Sequence, residues 1–238
     1  MSSFVPRTLL ATTATAALGL VGFSGCADNH STLFVVGVLA RSDDCSGYIF
    51  DPGQPRLGSG LMDKLMVDGY SAGLLLGNQL VAQGNNDQVR TETSRIALQG
   101  AEVRLTQAET GAQLAHYTTT ISGTVDPSPS TNPGYFGAVV MMIPAGLDLD
   151  PGEYLSSVRV FGETLGGQDV ESGEFVFPIV VCDGCSVVVG GEVTASGDCL
   201  PPQGATLDVC AAGLDGPTDC SVCQAMVPPS DRDRCLPQ

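Results

Sequence analysis

Tryptophan is absent from this sequence, lysine occurs once, at Lys64, and histidine occurs twice, at His30 and His116. Two histidines provide little material for acid–base or metal chemistry near neutral pH. Charged residues (15%) and aromatic residues (5%) are also scarce, whereas the chain has 30 glycines and 15 prolines. This composition is typical of a turn-rich, all-β protein and argues against a helical fold.

Basic residues are few: 10 Lys and Arg stand against 26 Asp and Glu, which gives a formal net charge of −16. Because Arg7 contributes one positive charge, its loss with a signal peptide would move the net charge to −17. A field of this sign repels nucleic acid and anionic lipid headgroups, so we expect no nucleic-acid partner. Acidic surfaces can attract Ca²⁺ or basic partners, although a solvated face is the simpler interpretation.

The first 26 residues have the pattern of an export signal. Arg7 precedes an apolar, Thr-diluted run at 9–21, and small residues then lead to Cys26. The run is shorter than the roughly 20 apolar residues that a membrane span needs. The ending Phe-Ser-Gly-Cys resembles the bacterial lipobox, with Phe23 where Leu is usual. In a lipobox, the cysteine sulfur receives a diacylglyceryl group and becomes the first mature residue.

We therefore predict a signal peptide at 1–25, a tether at 26–32 lipidated at Cys26, and a cell-envelope protein at the outer membrane or cell surface. An ordinary cleaved signal peptide, which would leave Cys26 as a thiol, is the alternative. The number of cysteines favours lipidation, because removing Cys26 from nine cysteines leaves an even number that can pair completely in an oxidising compartment. The remaining eight are Cys45, Cys182, Cys185, Cys199, Cys210, Cys220, Cys223 and Cys235.

Residues 33–181 have the short apolar or alternating runs of successive strands, separated by turn residues. The predicted strands lie at 33–40, 61–67, 71–80, 96–106, 113–121, 136–143, 154–162 and 175–181. About eight such strands predict an antiparallel two-sheet sandwich of immunoglobulin-like type, although the Cys…Trp…Cys core of antibody domains is absent.

Glycine, proline and apolar positions predict four further features of these strands. A change of hydrophobic phase across Gly100 predicts a β-bulge. The run at 136–143 is apolar on both faces and predicts an interior strand. Pro178 predicts an edge position or a bulge, and Gly166-Gly167 marks the end of a hairpin.

Residues 182–238 form a different region, a small disulfide-rich tail with little room for its own core. Two Cys-x-x-Cys pairs, Cys182/Cys185 and Cys220/Cys223, permit three interpretations. In a cytosolic protein they would indicate zinc, but export and the even count favour disulfides. A redox motif is less consistent with the pattern, because neither pair is predicted to follow a strand that leads into a helix, and Asp183 disfavours a thiolate.

The tail holds seven cysteines and therefore cannot pair them all internally. If all eight mature cysteines are oxidised, a bond must leave the tail, and Cys45 is the only partner available. In the chain-entropy model, a bridge that closes so long a loop stabilises a protein by roughly 4–5 kcal/mol.

The segment FVFPIVVCDGC at 175–185, followed by DCSVC at 219–223, is similar to the C-terminal half of lipoproteins that are common in myxobacterial genomes. The resemblance covers about the last third of the chain. It implies a cell-envelope lipoprotein of unknown function and supplies no catalytic or binding residues.

Catalytic patterns are sparse. A Ser-His-Asp hydrolase would have to use His116, which fits a solvent- or sheet-facing strand residue better. Asp148, Asp150 and Glu153 could offer oxygens to Ca²⁺, but the EF-hand spacing is missing and a plain turn is the simpler interpretation. We therefore predict a structural or recognition module without enzymatic activity or cofactor, which engages a protein or glycan through loops such as 123–134. A hydrolase of unrecognised type and a Cys-x-x-Cys metal or redox module are the alternatives.

Overall fold

The structure, a computed structural model, describes residues 32–42, 47–84, 91–204 and 211–236. The predicted signal peptide, the lipidation site Cys26 and two predicted disulfide cysteines, Cys45 and Cys210, lie outside these residues. The protein is mostly β, with 50% strand and 7% helix, as its composition predicts. In the part of the chain that is described, no helix is long and apolar enough to cross a membrane.

The strands and the α-helix are numbered in chain order. They are β1 (Leu33–Leu39), β2 (Arg56–Leu57), β3 (Gly60–Asp63), β4 (Tyr70–Asn78), β5 (Ile96–Gln107), β6 (Gln113–Val125), β7 (Gly134–Ile143), β8 (Gly152–Thr164), β9 (Asp169–Glu171), β10 (Phe175–Cys182), β11 (Val187–Val188), β12 (Glu192–Val193), β13 (Cys199–Leu200), β14 (Thr218–Asp219) and α1 (Cys220–Met226). A 3-10 helix, Pro229–Cys235, follows α1.

Two larger sheets contribute to one hydrophobic core. A four-stranded sheet has the order β2-β1-β4-β7, and a six-stranded sheet has the order β3-β10-β8-β5-β6, with β9 paired to β8. Leu74 and Val140 of the first sheet lie in the same buried cluster as Val103, Val158 and Phe177 of the second. Each fully buried side chain of this size stabilises the fold by about 1.5–3 kcal/mol relative to an exposed one.

The hydrophobic phase change at Gly100 is a β-bulge, as predicted. The register of β5 shifts between Leu98 and Gly100 against both β6 and β8. Ala101, on the far side of the shift, is buried in the new phase. A side chain at Gly100 would meet the ring of Phe161 at 2.5 Å, which explains the glycine. The predicted hairpin also forms, since β8 and β9 are connected through Gly167 at φ +80°.

Two strand predictions are wrong. β7 is not interior, because it lies at the edge of the four-stranded sheet. β3 stops at Asp63 instead of reaching residue 67, and it pairs with β10 in parallel, so the six-stranded sheet is not purely antiparallel. Pro178 belongs to a strand with neighbours on both sides, but β3 pairs only with Ile179–Cys182. At Pro178, β10 therefore pairs with β8 alone, so the missing N–H of proline removes no hydrogen bond to β3.

The tail forms two small two-stranded sheets, α1 and the 3-10 helix. Within the described residues, three disulfides join its cysteines: Cys182–Cys185, Cys199–Cys220 and Cys223–Cys235. The buried cluster of the tail consists of the cysteines of two of these bonds together with Val187 and Val227. Disulfides thus supply much of the interior that apolar side chains supply in the larger core.

Candidate functional site

A buried carboxylate, Asp63, connects the end of β3 to the tail. Its side chain is 0% exposed. Oδ1 accepts hydrogen bonds from the backbone N–H of Leu65 (3.1 Å) and of Gly184 (2.7 Å). Oδ2 accepts from the N–H of Ser186 (2.9 Å) and from its hydroxyl (2.7 Å). We call this arrangement the Asp63 cradle; its four donors compensate for the loss of water around the carboxylate.

The cradle holds the turn that the Cys182–Cys185 disulfide closes. The parallel register of β3 and β10 places Asp63 directly beside Cys182. Gly184 adopts φ +79° and directs its N–H at the carboxylate. The backbone adds two more connections, since Lys64 N–H donates to the carbonyl of Cys182 (2.8 Å) and Asp63 N–H donates to the carbonyl of Gly213 (2.7 Å).

The cradle brings together three groups that could in principle hold a metal ion. One oxygen of Asp63 and the sulfurs of Cys182 and Cys185 lie within 4.8 Å of one another. The two sulfurs are bonded to each other, however, and a disulfide offers no thiolate to a cation. The carboxylate lone pairs already receive four donors. This donor set fits a structural clamp and does not fit zinc while the disulfide is intact.

The second Cys-x-x-Cys pair corrects one expectation. It does follow a strand that leads into a helix, because β14 ends at Asp219 and α1 begins at Cys220. Asp219 caps α1 by accepting the N–H of Ser221 at 2.9 Å. Cys220 and Cys223 nevertheless bond to different cysteines, so the pair is not a closed redox disulfide.

A second cluster surrounds Asp215, and the sequence analysis did not identify it. Asp215 has a left-handed backbone (φ +56°), and its Oδ1 accepts the hydroxyl of Tyr70 (2.7 Å) and the N–H of Leu61 (3.0 Å). Burial raises the pKa of Asp215, against the lowering effect of these hydrogen bonds. Burial and the neighbouring carboxylate also raise the pKa of Tyr70. A Cβ on Gly60 would meet the Tyr70 hydroxyl at 2.5 Å.

The cluster continues to Arg41 and Tyr48. The Arg41 guanidinium lies over the Tyr48 ring at 5.0 Å from its centroid, within cation–π range. The Tyr48 hydroxyl donates to the carbonyl of Ser71 at 2.8 Å, and Arg41 donates to the same carbonyl at 3.4 Å. The only sequence signal for this cluster is Asp215 before a glycine, which alone predicts nothing more than a turn.

The sequence contains one Gly-x-Ser-x-Gly pattern, Gly69–Gly73, with Ser71 at its centre, although no such elbow was expected beside His116. In hydrolases such a serine occupies a sharp turn between a strand and a helix. Here Ser71 lies inside β4, pairs with Met141 of β7 and is on the outward side of the four-stranded sheet. His116 projects from the opposite outer face of the protein, so these two residues do not form a catalytic pair.

His116 belongs to an exposed charge network on the six-stranded sheet. Its Nε2 lies 2.5 Å from Glu102 Oε1, and Arg159 lies 3.9 Å from the other Glu102 oxygen. The hydrogen bond from His116 is the largest influence that lowers the pKa of Glu102. The adjacent depression, lined by Arg104 and Glu174 among others, encloses about 10 Å³, which is room for a single water. His116 is therefore a solvent-facing strand residue, as the sequence analysis favoured.

The three acids considered for Ca²⁺ do not form a common site in the structure. The Asp148 side chain is fully exposed and lies 3.9 Å from Lys64 Nζ. Asp150 is engaged through its backbone carbonyl, which accepts the Tyr154 hydroxyl at 2.7 Å. Among the described residues, Asp148, Asp150 and Glu153 are not part of any cluster with metal-ligand spacing. Asp148 and Asp150 belong to the turn before β8, and Glu153 lies within β8.

A larger pocket lies at the loop end of the fold and encloses about 390 Å³, within the range of small-molecule sites. The described residues that line it carry no charge: Leu80, Gln83, Thr93, Ser94, Thr164, Gly166 and Gln168. We call it the loop-end pocket. The recognition loop predicted at 123–134 is shorter in the structure, because β6 continues to Val125 and β7 begins at Gly134. This loop is attached to the pocket wall, since Ser128 N–H donates to the carbonyl of Leu80 at 2.7 Å.

Comparison with known proteins assigns no family. No family model and no curated protein matches the chain. Among solved structures, a metagenome-derived glycoside hydrolase family 9 endoglucanase matches 52% of this chain at 15% identity and a TM-score of 0.20. The chain spans 17% of that enzyme. The CooA pilin subunit of enterotoxigenic Escherichia coli matches 64% of this chain and 98% of its own at 11% identity and a TM-score of 0.22. TM-scores this low support no functional argument.

The Asp63 cradle predicts a large effect of Asp63→Asn on stability. The amide presents its own N–H groups to buried donors, and each buried donor left unpaired costs about 1–3 kcal/mol. We expect the free energy of unfolding to fall by about 3 kcal/mol, measured by urea denaturation under oxidising conditions.

Asp183→Asn is the matched control, since Asp183 lies in the same turn and pairs at the surface with Arg234. Its loss should change stability by less than about 1 kcal/mol. Equal effects of the two substitutions would contradict the role of the cradle.

The raised pKa of Asp215 predicts a pH-dependent effect of Asp215→Asn. The folded protein keeps the Asp215 proton at pH values where the unfolded chain has lost it. The free energy of unfolding therefore falls as pH rises above the unfolded carboxyl value, until the pKa in the folded state is passed. Asparagine tolerates the left-handed backbone and still accepts from Tyr70. The stability of the variant relative to wild type should improve from about pH 3 to about pH 7 in urea titrations. A difference in stability between variant and wild type that stays the same across this pH range would contradict a raised pKa of Asp215 in the folded protein.

Proposed function

We propose that this protein is an exported bacterial lipoprotein of the myxobacterial-type envelope family, anchored in the outer membrane or at the cell surface through Cys26. Its two larger sheets form an immunoglobulin-like sandwich that serves as a non-enzymatic recognition module. The ligand is a neutral glycan that enters the loop-end pocket. The observation that carries this choice is that the described residues lining that pocket are uncharged and rich in hydroxyl and amide groups.

The tail supports export. Three disulfides among the described cysteines suit an oxidising compartment. With six of the seven tail cysteines paired, Cys210 is the tail cysteine left for Cys45. The described neighbours of these two cysteines lie near each other, since the Asp215 carboxylate acts electrostatically on Tyr48 and Arg41. The fourth bridge of the proposal is therefore Cys45–Cys210.

The composition of the pocket supports a neutral, hydroxyl-bearing ligand. Amide and hydroxyl side chains both donate and accept hydrogen bonds, as sugar hydroxyls require. Gln83, Thr93 and Gln168 are exposed at the rim, while Ser94 and Thr164 are buried deeper. A strongly acidic protein repels anionic ligands. The described lining residues offer no carboxylate to a cationic ligand, so a neutral ligand is favoured.

Binding to a panel of neutral oligosaccharides tests this function. We expect at least one to bind, and Gln168→Ala to weaken it about fivefold, because one hydrogen bond contributes about 1 kcal/mol. Gln113→Ala is the matched control, since Gln113 is exposed on β6 and does not line the pocket. Calorimetry that finds no binding, or an equal loss in both variants, would contradict the proposal.

A further inference from the structure

The two larger sheets differ in the charge of their strands. β1, β4 and β7, which form most of the four-stranded sheet, contain no Asp, Glu, Lys, Arg or His. The outer face of the six-stranded sheet carries ion pairs such as Arg159–Glu102 and Arg104–Glu174. One outer face of the protein is therefore built from neutral strands and the other from charged ones.

Glycines on the neutral face make room for aromatic rings. Gly73 and Gly137 lie on the outward side of β4 and β7. A Cβ on Gly137 would lie 1.8 Å from the Phe50 ring, and one on Gly73 would lie 2.5 Å from the Tyr48 ring. The chain segment before β2 thus places its two rings over these glycines, with their centroids 5.9 Å apart and their planes inclined by 34°.

An exposed apolar patch results on this face. The register places Tyr135, Val139 and Met141 on the same outward side as Gly137, around the ring of Phe50. Their exposures are 37%, 51%, 41% and 37% for Tyr135, Val139, Met141 and Phe50. We call these four residues the neutral-face patch. Contiguous exposed apolar groups of this kind mark surfaces that contact something other than water.

Two arginines flank the neutral-face patch. Arg41 lies over the Tyr48 ring, and Arg56 packs its side-chain carbons 3.0 Å from where a Cβ on Gly37 would be. Guanidinium groups bind phosphate in a bidentate manner. Asp51 follows Phe50 and is exposed as well, so the rim carries both signs. Apolar side chains with neighbouring arginines are the chemistry of a zwitterionic lipid headgroup layer.

We propose that the neutral-face patch rests on the lipid surface of the membrane to which the protein is anchored. This inference relies on the lipid at Cys26 in the proposed function. Six residues separate Cys26 from Leu33 at the start of β1, and the seven Cα–Cα steps between them reach at most about 25 Å. β1 belongs to the same sheet as the patch, so the anchor keeps this sheet close to the bilayer.

A second copy of the chain fits the patch less well. Side chains of this size expose about 100 Å² each when half buried, so four of them offer less than about 400 Å². A stable interface buries about 800 Å² on each partner. A lipid surface needs no such area, because the anchor already removes most of the entropic cost of association.

Because the chain has no tryptophan, a single introduced tryptophan reports the surroundings of the patch without background. Val139→Trp places the probe on the patch. Val176→Trp is the matched control, since Val176 is a strand valine of similar exposure, 48% against 51%, on the outer face of the six-stranded sheet. Both variants are purified with their anchor and placed in phosphatidylcholine vesicles that contain lipid brominated in its acyl chains.

We expect the emission of Val139→Trp to move to shorter wavelength and to be quenched by the brominated lipid, with neither effect for Val176→Trp. Equal behaviour of the two probes overturns the inference. So does a blue shift of Val139→Trp that appears without vesicles and grows with protein concentration, which would indicate a second copy. The mass of the same preparation reports the anchor separately. An unmodified Cys26 overturns the proposed function and, with it, the tether argument; an unquenched probe in anchored protein overturns only the patch.

Discussion

The attachment of the tail depends on one buried negative charge. Asp63 has lost its water entirely, and such a carboxylate is tolerated only where donors replace that water. Three of the four donors, the N–H of Gly184 and the N–H and hydroxyl of Ser186, belong to the tail. The parallel pairing of β3 with β10 places this carboxylate beside Cys182. β3 ends at Asp63, where both side-chain oxygens are engaged by donors of the following residues and of the tail.

Within the tail, disulfides hold the short elements together. The tail is too small to bury an apolar core that would offset its conformational entropy. Cys199–Cys220 joins β13 to the start of α1, and Cys223–Cys235 joins the same helix to the 3-10 helix. The short elements of the tail are thereby linked in sequence. The loop-end pocket lies elsewhere in the larger domain and is lined by none of the described tail residues, so the tail and the proposed binding site are separate parts of the molecule.

Strands could be predicted from the sequence where one face of the strand is buried and the other is exposed to solvent. The alternation in β8 and the phase change at Gly100 are consequences of the pleat and are readable from sequence. β7 was misplaced because its outward side is also apolar, through Val139 and Met141, which the pattern cannot distinguish from burial in a sheet centre. The outward apolar side belongs instead to an exposed surface.

The candidate sites were less accessible to prediction. The even number of cysteines predicts complete pairing but no connectivity, which long-range folding determines. In sequence, Asp63 resembles an outward polar residue of a strand and Asp215 an ordinary turn residue, because the groups that bury them lie more than a hundred residues away. Their environments exist only once β3, β10 and the tail are assembled.

The central claim is that this is an exported, lipid-anchored protein whose mature cysteines are all oxidised. The most direct test is the intact mass of the protein extracted from envelopes without reduction. The account predicts a chain that begins at Cys26 with a diacylglyceryl group and lacks two hydrogens for each of four disulfides. A mass that shows an unmodified Cys26, or fewer than four disulfides, would contradict it.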